Sequence, residues 1–306
     1  MIHRRAFLGS LASTAVLARH AWADSPKTRL PLSFSTLGCP GWPLTRVLDQ
    51  ADALGYAGVE LRGIEGDMDL PSRPELRGDG LARTREAFAA RGLRVASLDA
   101  SAAMHEPNAA KGAAQIDEGR RFIDLAAALG APFVRVFGDR YVDGEPHEKT
   151  LDRVVAGFRT LGLHARGKGV VVLIESHGDF TDSPTLARLL SSIDMPEVGL
   201  LWDAHHTFVA GKESPAQTWA AVGRYVRHTH IKDSRPAGAD RRYVLMGQGD
   251  VPLADQIKTL VRGGYQGLYS LEWEKKWHPE IEEPEVAFPQ YVEAMKGLLL
   301  AAGVRS

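Results

Sequence analysis

The sequence predicts an α/β protein built as one (β/α)8, or TIM, barrel, and three observations carry that expectation. Past residue 30, short apolar runs alternate with amphipathic stretches eight times. The runs are apolar nearly throughout, the pattern of parallel strands covered on both faces. Glycine recurs at the ends of the amphipathic stretches, at Gly55, Gly92, Gly130, Gly169 and the Gly263–Gly264 pair. Glycine takes the left-handed conformation that ends a helix without a Cβ clash, so the chain can turn back into the next strand. Eight such units in about 270 residues match the count and length of the barrel.

The candidate strands are residues 32–36, 58–62, 94–99, 133–137, 170–175, 198–203, 226–231 and 267–273. Helical periodicity between them covers 44–54, 82–91, 112–129, 149–167 and 184–192. An open doubly wound sheet is the competing architecture. It would place a glycine-rich phosphate loop after the first strand. The segment Leu37-Gly38-Cys39-Pro40-Gly41 instead runs toward a second proline at Pro43 and reads as a turn. No Pro/Ser-rich linker divides the chain, so one domain is expected over residues 24–306.

Residues 1–23 are set apart as an export signal. Arg4-Arg5-Ala6-Phe7-Leu8 offers a twin-arginine pair, an apolar run covers Phe7 to Ala18, and Ala21-Trp22-Ala23 supplies small residues for cleavage after Ala23. About 12 apolar residues are too few to span a bilayer. The expectation is twin-arginine export to the periplasm with no stable membrane insertion after cleavage. Removing this segment takes three Arg and no acid, leaving 34 basic against 38 acidic residues, a net of −4. That balance lacks the basic footprint of a nucleic-acid binder. Cys39 is the only cysteine, so no internal disulfide forms, and a small packed residue is expected there.

Barrel enzymes place their chemistry at the C-terminal ends of the strands. The fifth strand ends Ile174-Glu175-Ser176-His177 and the sixth Trp202-Asp203-Ala204-His205-His206. The seventh carries His228-Thr229-His230-Ile231-Lys232 and the eighth Ser270-Leu271-Glu272-Trp273-Glu274. Of the nine histidines after residue 23, five sit on strands five to seven or within three residues beyond. Glu175, Asp203, His230 and Glu272 are spaced by 28, 27 and 42 residues, so each arrives on a successive strand. Three clustered carboxylates repel unless a cation compensates them. Three oxygen donors and one imidazole favour Mn²⁺, with Mg²⁺, Co²⁺ or catalytic Zn²⁺ as alternatives. Glu274 competes with Glu272 for the fourth place, and His228, two residues before His230, reads as a supporting imidazole.

These segments (IESHGDF, LLWDAHH, VRHTHIKD, the Gly247-Gln248-Gly249-Asp250 turn and SLEWE) resemble the sugar phosphate isomerase/epimerase family with its xylose-isomerase-like barrel, from about residue 32 to 302. The resemblance implies one divalent metal held by Glu175, Asp203, His230 and Glu272, and a substrate-contacting histidine three residues after the aspartate, here His206. The family's ketose 3-epimerases also carry an arginine six residues after the metal histidine; this chain has Arg235 at five. The family further contains dehydratases, lyases and an endonuclease branch.

The chemistry follows from the donors. A sugar chelating the metal through a carbonyl and an adjacent hydroxyl becomes acidic at the carbon between them, and the metal stabilises the enediolate as a Lewis acid. Glu175 and Glu272 are the catalytic pair, one removing the proton and the other returning one to the opposite face. Expulsion of a hydroxyl or aglycone by the same residues would make a lyase or dehydratase. Glu60, Arg62, Arg135, His177, His206, Lys232 and Arg235 are candidate sugar-binding residues. Trp42 and Trp277 are candidates for stacking on a sugar, Asp250 for capping a helix, and Lys275-Lys276-Trp277-His278 for a substrate loop. The expected partner is a small-molecule sugar, without nucleic acid, in a monomer or homo-oligomer. A metal-dependent endonuclease and a non-catalytic sugar-binding barrel are the remaining readings. The net charge argues against the first, and the flanking carboxylates against the second.

Overall fold

Eight parallel strands close on themselves in a computed structural model that describes residues 29–304. The strands are β1 (Leu32–Ser35), β2 (Gly58–Leu61), β3 (Arg94–Ala103), β4 (Phe133–Phe137), β5 (Val171–Glu175), β6 (Val198–Asp203), β7 (Val226–Ile231) and β10 (Tyr269–Leu271). Around the barrel the order is β1-β10-β7-β6-β5-β4-β3-β2, the closed cycle the repeat pattern predicts. Between the strands run α1 (Leu44–Ala53), α2 (Gly78–Ala90), α3 (Ala109–Leu129), α4 (His147–Ala165), α5 (Ser183–Ile193), α6 (Ala204–Val209), α7 (Pro215–Val222), α8 (Leu253–Arg262) and α9 (Pro284–Ala301). The expected signal segment, residues 1–23, lies outside the described residues. Among the described residues, no helix is long and apolar enough to cross a membrane.

Local chemistry sets the helix ends. Asn108 accepts from the Lys111 amide at 3.0 Å to start α3, and Gly130 ends it at φ 75°. Asp182 accepts from the Thr185 amide at 2.9 Å to start α5, with Pro184 in its first turn. Each such cap is worth about 1 kcal/mol. The last helix seals the cycle: Phe288 of α9 stacks on Phe34 of β1 at 4.2 Å, and the Tyr56 hydroxyl donates to the Phe288 carbonyl at 2.8 Å.

The structure moves several boundaries. The eighth barrel strand is three residues long, so Glu272 lies just past it, held by its amide donating to the Ile231 carbonyl at 3.2 Å. A hairpin of β8 (Asp233–Ala237) and β9 (Asp240–Val244) follows β7, where the sequence showed only a polar run. Asp250 does not cap a helix: α8 starts after Pro252, and Asp250 pairs with Arg241 of the hairpin. Asp233 instead organises the Gly247–Asp250 turn, accepting from the amides of Gly247 and Gly249 at 2.9 Å each. A Cβ on Gly249 would stand 2.1 Å from Asp233 Oδ1, so only glycine fits that approach. Trp42 is core, packed edge-on against Phe288. Lys275 is buried and spends its ammonium on the Pro279 and Ile281 carbonyls, so it belongs to the scaffold of its loop. Cys39 is buried, and burial pushes its thiol far up, as befits a packing residue.

Candidate active site

Strand register delivers the four predicted donors to one place. Asp203 pairs with His230 across β6 and β7, Glu175 with Leu201 across β5 and β6, and Ser270 with His230 across β7 and β10. His230 Nδ1 thus faces all three carboxylates: Glu272 Oε2 at 3.2 Å, Glu175 Oε1 at 3.5 Å and Asp203 Oδ2 at 3.8 Å. All four side chains are buried.

The sequence Asp203-Ala204-His205-His206 explains how one of them is aimed. Asp203 is both the last residue of β6 and the cap of α6. Its Oδ1 accepts from the His205 amide at 2.9 Å and the His206 amide at 3.2 Å. Capping consumes one oxygen and turns the other, Oδ2, toward His230.

The fit to a cation can be judged from unpaired atoms. His230 Nδ1, Asp203 Oδ2 and Glu175 Oε2 are buried without an aligned hydrogen bond. A buried polar atom with no partner at all costs about 1–3 kcal/mol; here Asp203 Oδ2 and Glu175 Oε2 have ion pairs alone, with Lys232 and Arg135. Charge points the same way. Four carboxylates, Glu175, Asp203, Glu272 and Glu274, face two permanent cations. Arg135 Nε lies 3.2 Å from Glu175 Oε2, and Lys232 Nζ lies 2.8 Å from Asp203 Oδ2, 2.7 Å from Glu274 Oε1 and against Glu272 Oε2. The buried acidic and imidazole groups are therefore suited to hold a divalent metal.

Protonation follows the same field. Burial opposes charge on His230, yet Glu272 and Glu60 outweigh it and hold the imidazole well above its ordinary range. Burial likewise disfavours the Glu175 and Glu272 anions. Arg135 keeps Glu175 low nonetheless, and His230 and Lys232 keep Glu272 low. Burial lifts Asp203 to about 6 and Glu274 to about 7, in each case against the pull of Lys232. His230 would have to give up its Nδ1 proton for this set to hold a metal.

A second imidazole stands at the rim. His206 Nε2 is 3.4 Å from Asp203 Oδ2 and 3.3 Å from Lys232 Nζ. Burial and then Lys232 push His206 well below its ordinary value, so it is neutral. His206 can complete a donor set with Glu175, Asp203 and Glu272, but only His230 Nδ1 lies within 3.8 Å of a carboxylate oxygen from each of the three. The His177 ring approaches His206 edge-on at 5.1 Å and Phe137 at 4.7 Å, so both predicted rim histidines line the approach.

The other expected sugar-binding residues divide. Arg62 bonds the Asp99 carbonyl at 3.2 Å and Ser101 Oγ at 3.0 Å, and burial, with Arg135 adding to it, brings it down to about 10. Arg135 is fully buried and engages Glu175, so its reach is to that carboxylate. Lys232 is a buried ion-pair partner inside the acid cluster, not a side chain free at the opening. Glu274 is that lysine's partner, not a rival to Glu272.

Two expectations are corrected. Arg235 is exposed on β8 opposite Arg242, because only the first two residues of the hairpin strand, Asp233 and Ser234, are buried and the rest stands out from the barrel. Glu60 does not line the opening. It lies fully buried against the Nε2 edge of His230, where Oε2 accepts from His228 Nε2 at 2.7 Å and Ser270 Oγ at 2.9 Å, and Oε1 accepts from His230 Nε2 at 3.1 Å. Ser270 escaped the sequence reading. Its signal was a lone hydroxyl in the apolar stretch Leu268–Leu271, opposite His230. His105 also escaped it; its Nδ1 stands 3.7 Å from Asp139, which lies 3.8 Å from His177 Nδ1. Among the described residues, a cavity of about 1820 Å³ opens at the opposite end of the barrel, past Ala57, Arg94, Phe133 and Leu268, and holds none of the four donors.

Comparison with known proteins matches this arrangement to one family. The family model for "Xylose isomerase-like TIM barrel" covers residues 48–297. A putative hydroxypyruvate isomerase of Streptomyces coelicolor is 27% identical over 263 residues, 78% of this chain and 88% of that protein. An inosose dehydratase of Klebsiella pneumoniae is 27% identical over 178 residues, 51% of this chain, and the match spans only 57% of the dehydratase. The crystal structure of a 3-keto-D-glucoside 4-epimerase from E. coli superposes with a TM-score of 0.71 at 15% identity, covering 89% of this chain and 100% of that one, which shows the shared fold. Such relatives are enzymes: isomerases, epimerases and dehydratases.

Proposed function

The chain belongs to the xylose isomerase-like TIM barrels, and from that premise we propose that it is a divalent-metal-dependent isomerase or epimerase of keto-sugars. The carrying observation is the convergence of Glu175, Asp203 and Glu272 on the unpaired Nδ1 of His230. These four residues would hold the metal, Mn²⁺ by preference for its oxygen-rich donor set. When bound, the metal supplies Lewis acidity to a substrate carbonyl and its neighbouring hydroxyl.

The rest is done by the chain. Glu175 on β5 and Glu272 beyond β10 flank the site from strands separated by β6 and β7. Arg135 keeps Glu175 ionised, which suits it to remove a proton from the carbon next to the carbonyl. Glu272 serves the opposite face. Lys232 Nζ, in contact with both Glu272 and Glu274, joins His230 in keeping Glu272 ionised, and Glu274, lifted to about 7, is the proton reserve for the return to substrate. His206 and His177 orient sugar hydroxyls at the rim.

A second reading, elimination of water or an aglycone, draws on the Lys232–Glu274 pair. Glu274, lifted to about 7 and 2.7 Å from the ammonium, offers a proton to a departing oxygen. The dehydratase relative supports this reading. The twin-arginine residues Arg4 and Arg5 support export, and an exported enzyme meets unphosphorylated carbohydrate.

The test is NMR in D₂O of metal-loaded protein with a panel of ketoses and 3-keto-glycosides. Deuterium entering the carbon beside the carbonyl, with an inverted epimer or an isomer appearing, is the expected result. Loss of water or aglycone selects the second reading. A ligand that binds yet exchanges no deuterium contradicts both.

A further inference from the structure

We propose that Glu60 is a positioning residue that fixes the His230 ring so that Nδ1, and not Nε2, meets the metal. The inference rests on the metal reading above. An imidazole can offer a lone pair from only one nitrogen when the other carries a proton, and the partner of that second nitrogen decides which is which.

The hydrogen bonds around Glu60 leave little choice. A carboxylate only accepts. Its Oε1 therefore accepts a hydrogen bond from His230 Nε2 at 3.1 Å, and its Oε2 accepts hydrogen bonds from His228 Nε2 at 2.7 Å and Ser270 Oγ at 2.9 Å. Glu60 and His230 are fully buried and His228 nearly so, so no water competes for these positions. Neither Glu60 oxygen is unpaired, whereas His230 Nδ1 is, which is the asymmetry a ligand on Nδ1 requires. Ser270 sits opposite His230 in the β7–β10 register, so barrel geometry itself sets the third bond.

Glu60→Gln tests this with almost no change in volume. Glutamine has one accepting end and one donating end. The accepting end is drawn to the Oε2 position, where two donors converge, and that leaves the amide NH₂ against His230 Nε2. His230 must then keep its lone pair on Nε2 and carry its proton on Nδ1, facing the carboxylates. Metal affinity falls by about 10- to 100-fold, the range for loss of such a supporting bond. Adding Ser270→Ala removes one of the two donors and lets the glutamine turn its carbonyl to His230. The double variant therefore binds metal more tightly than Glu60→Gln alone.

The experiment pairs Zn²⁺ titration calorimetry with ¹⁵N-histidine NMR on wild type, Glu60→Gln and Glu60→Gln/Ser270→Ala. In Zn²⁺-loaded wild type, the His230 spectrum is expected to show a proton on Nε2 and metal on Nδ1. The single variant should lose affinity and the Nε2 proton, and the double variant should recover part of both. Metal on Nε2 in the wild type, unchanged affinity in Glu60→Gln, or a double variant weaker than the single one would overturn the proposal. Wild type that takes up no metal would sink the metal reading instead. The slowly exchanging Nε2 proton of metal-free His230 then still decides whether Glu60 holds the ring, and its absence would refute that.

Discussion

The two edges of the His230 ring meet carboxylates in opposite conditions. On the Nε2 edge Glu60 is met by three donors and has no unpaired oxygen, and the neighbouring Asp99 is held well above the usual carboxylate range by burial and then by Glu60. On the Nδ1 edge three acids crowd one nitrogen, and buried oxygens of Asp203 and Glu175 remain without an aligned donor. Both clusters are buried, so solvent does not explain the difference. A satisfied carboxylate is scaffold, and an unsatisfied group of them is a place for a ligand. Residue type alone would have ranked Glu60 and Glu175 alike; the hydrogen-bond account separates them.

Three predictions put that contrast under strain. Replacing the ammonium among the acids, by Lys232→Met, should have the largest effect on the metal-free protein. It strands buried charge, at a cost of about 3–5 kcal/mol, and a saturating divalent ion should shrink that cost. Denaturant melts with and without Mn²⁺ measure both, and an equal loss in the two conditions would place the metal elsewhere. Chelation comes next. A bound ion at about 1,000 times its Kd adds about 4 kcal/mol of stability, so EDTA should lower the Tm of wild type while leaving Asp203→Asn unmoved.

The smallest effect concerns pH and sharpens the contrast between histidines. His205, whose Nε2 lies 2.7 Å from Ser234 Oγ, is held down to about 3 by burial, with Lys232 and Arg241 adding to it. The unfolded chain binds its proton below about 6.5 while the folded one refuses it, so stability falls as pH drops below that value, by about 1.4 kcal/mol per unit. His230 has the opposite sign, since its raised value favours the protonated fold. His206, pushed the same way, shares the sign of His205, so His205→Gln should reduce the loss of stability between pH 6.5 and 5 by about one proton's worth, and urea melts across that window would show an unchanged slope if His205 bore no part of it.

Much of this site was legible in the sequence because barrel strands are short and end together. Glu175, Asp203 and His230 each close or nearly close an apolar run, and Glu272 falls one residue beyond its strand. Contacts across the barrel were not legible. Glu60 also ends an apolar run, but its carboxylate meets His228, Ser270 and the Nε2 edge of His230, contacts that β7 and β10 bring across the closed barrel. The stagger between strands is a property of the closed sheet, which no single run encodes. Lys232 follows the same logic, since its inward direction was readable while its three acidic partners came from β6 and the segment after β10. The β8–β9 hairpin was hidden by Pro236, which argues against a strand except at an edge, and that hairpin has nothing but edges.

The most direct test of the central claim is Mn²⁺ binding by isothermal titration with metal analysis of the dialysed protein. One ion per chain is expected in wild type and in Arg235→Ala, and markedly weakened or absent binding in Asp203→Asn and His230→Gln. Undiminished one-to-one binding in those two variants, or no binding in the wild type, would contradict the assignment of Glu175, Asp203, His230 and Glu272 as a metal site.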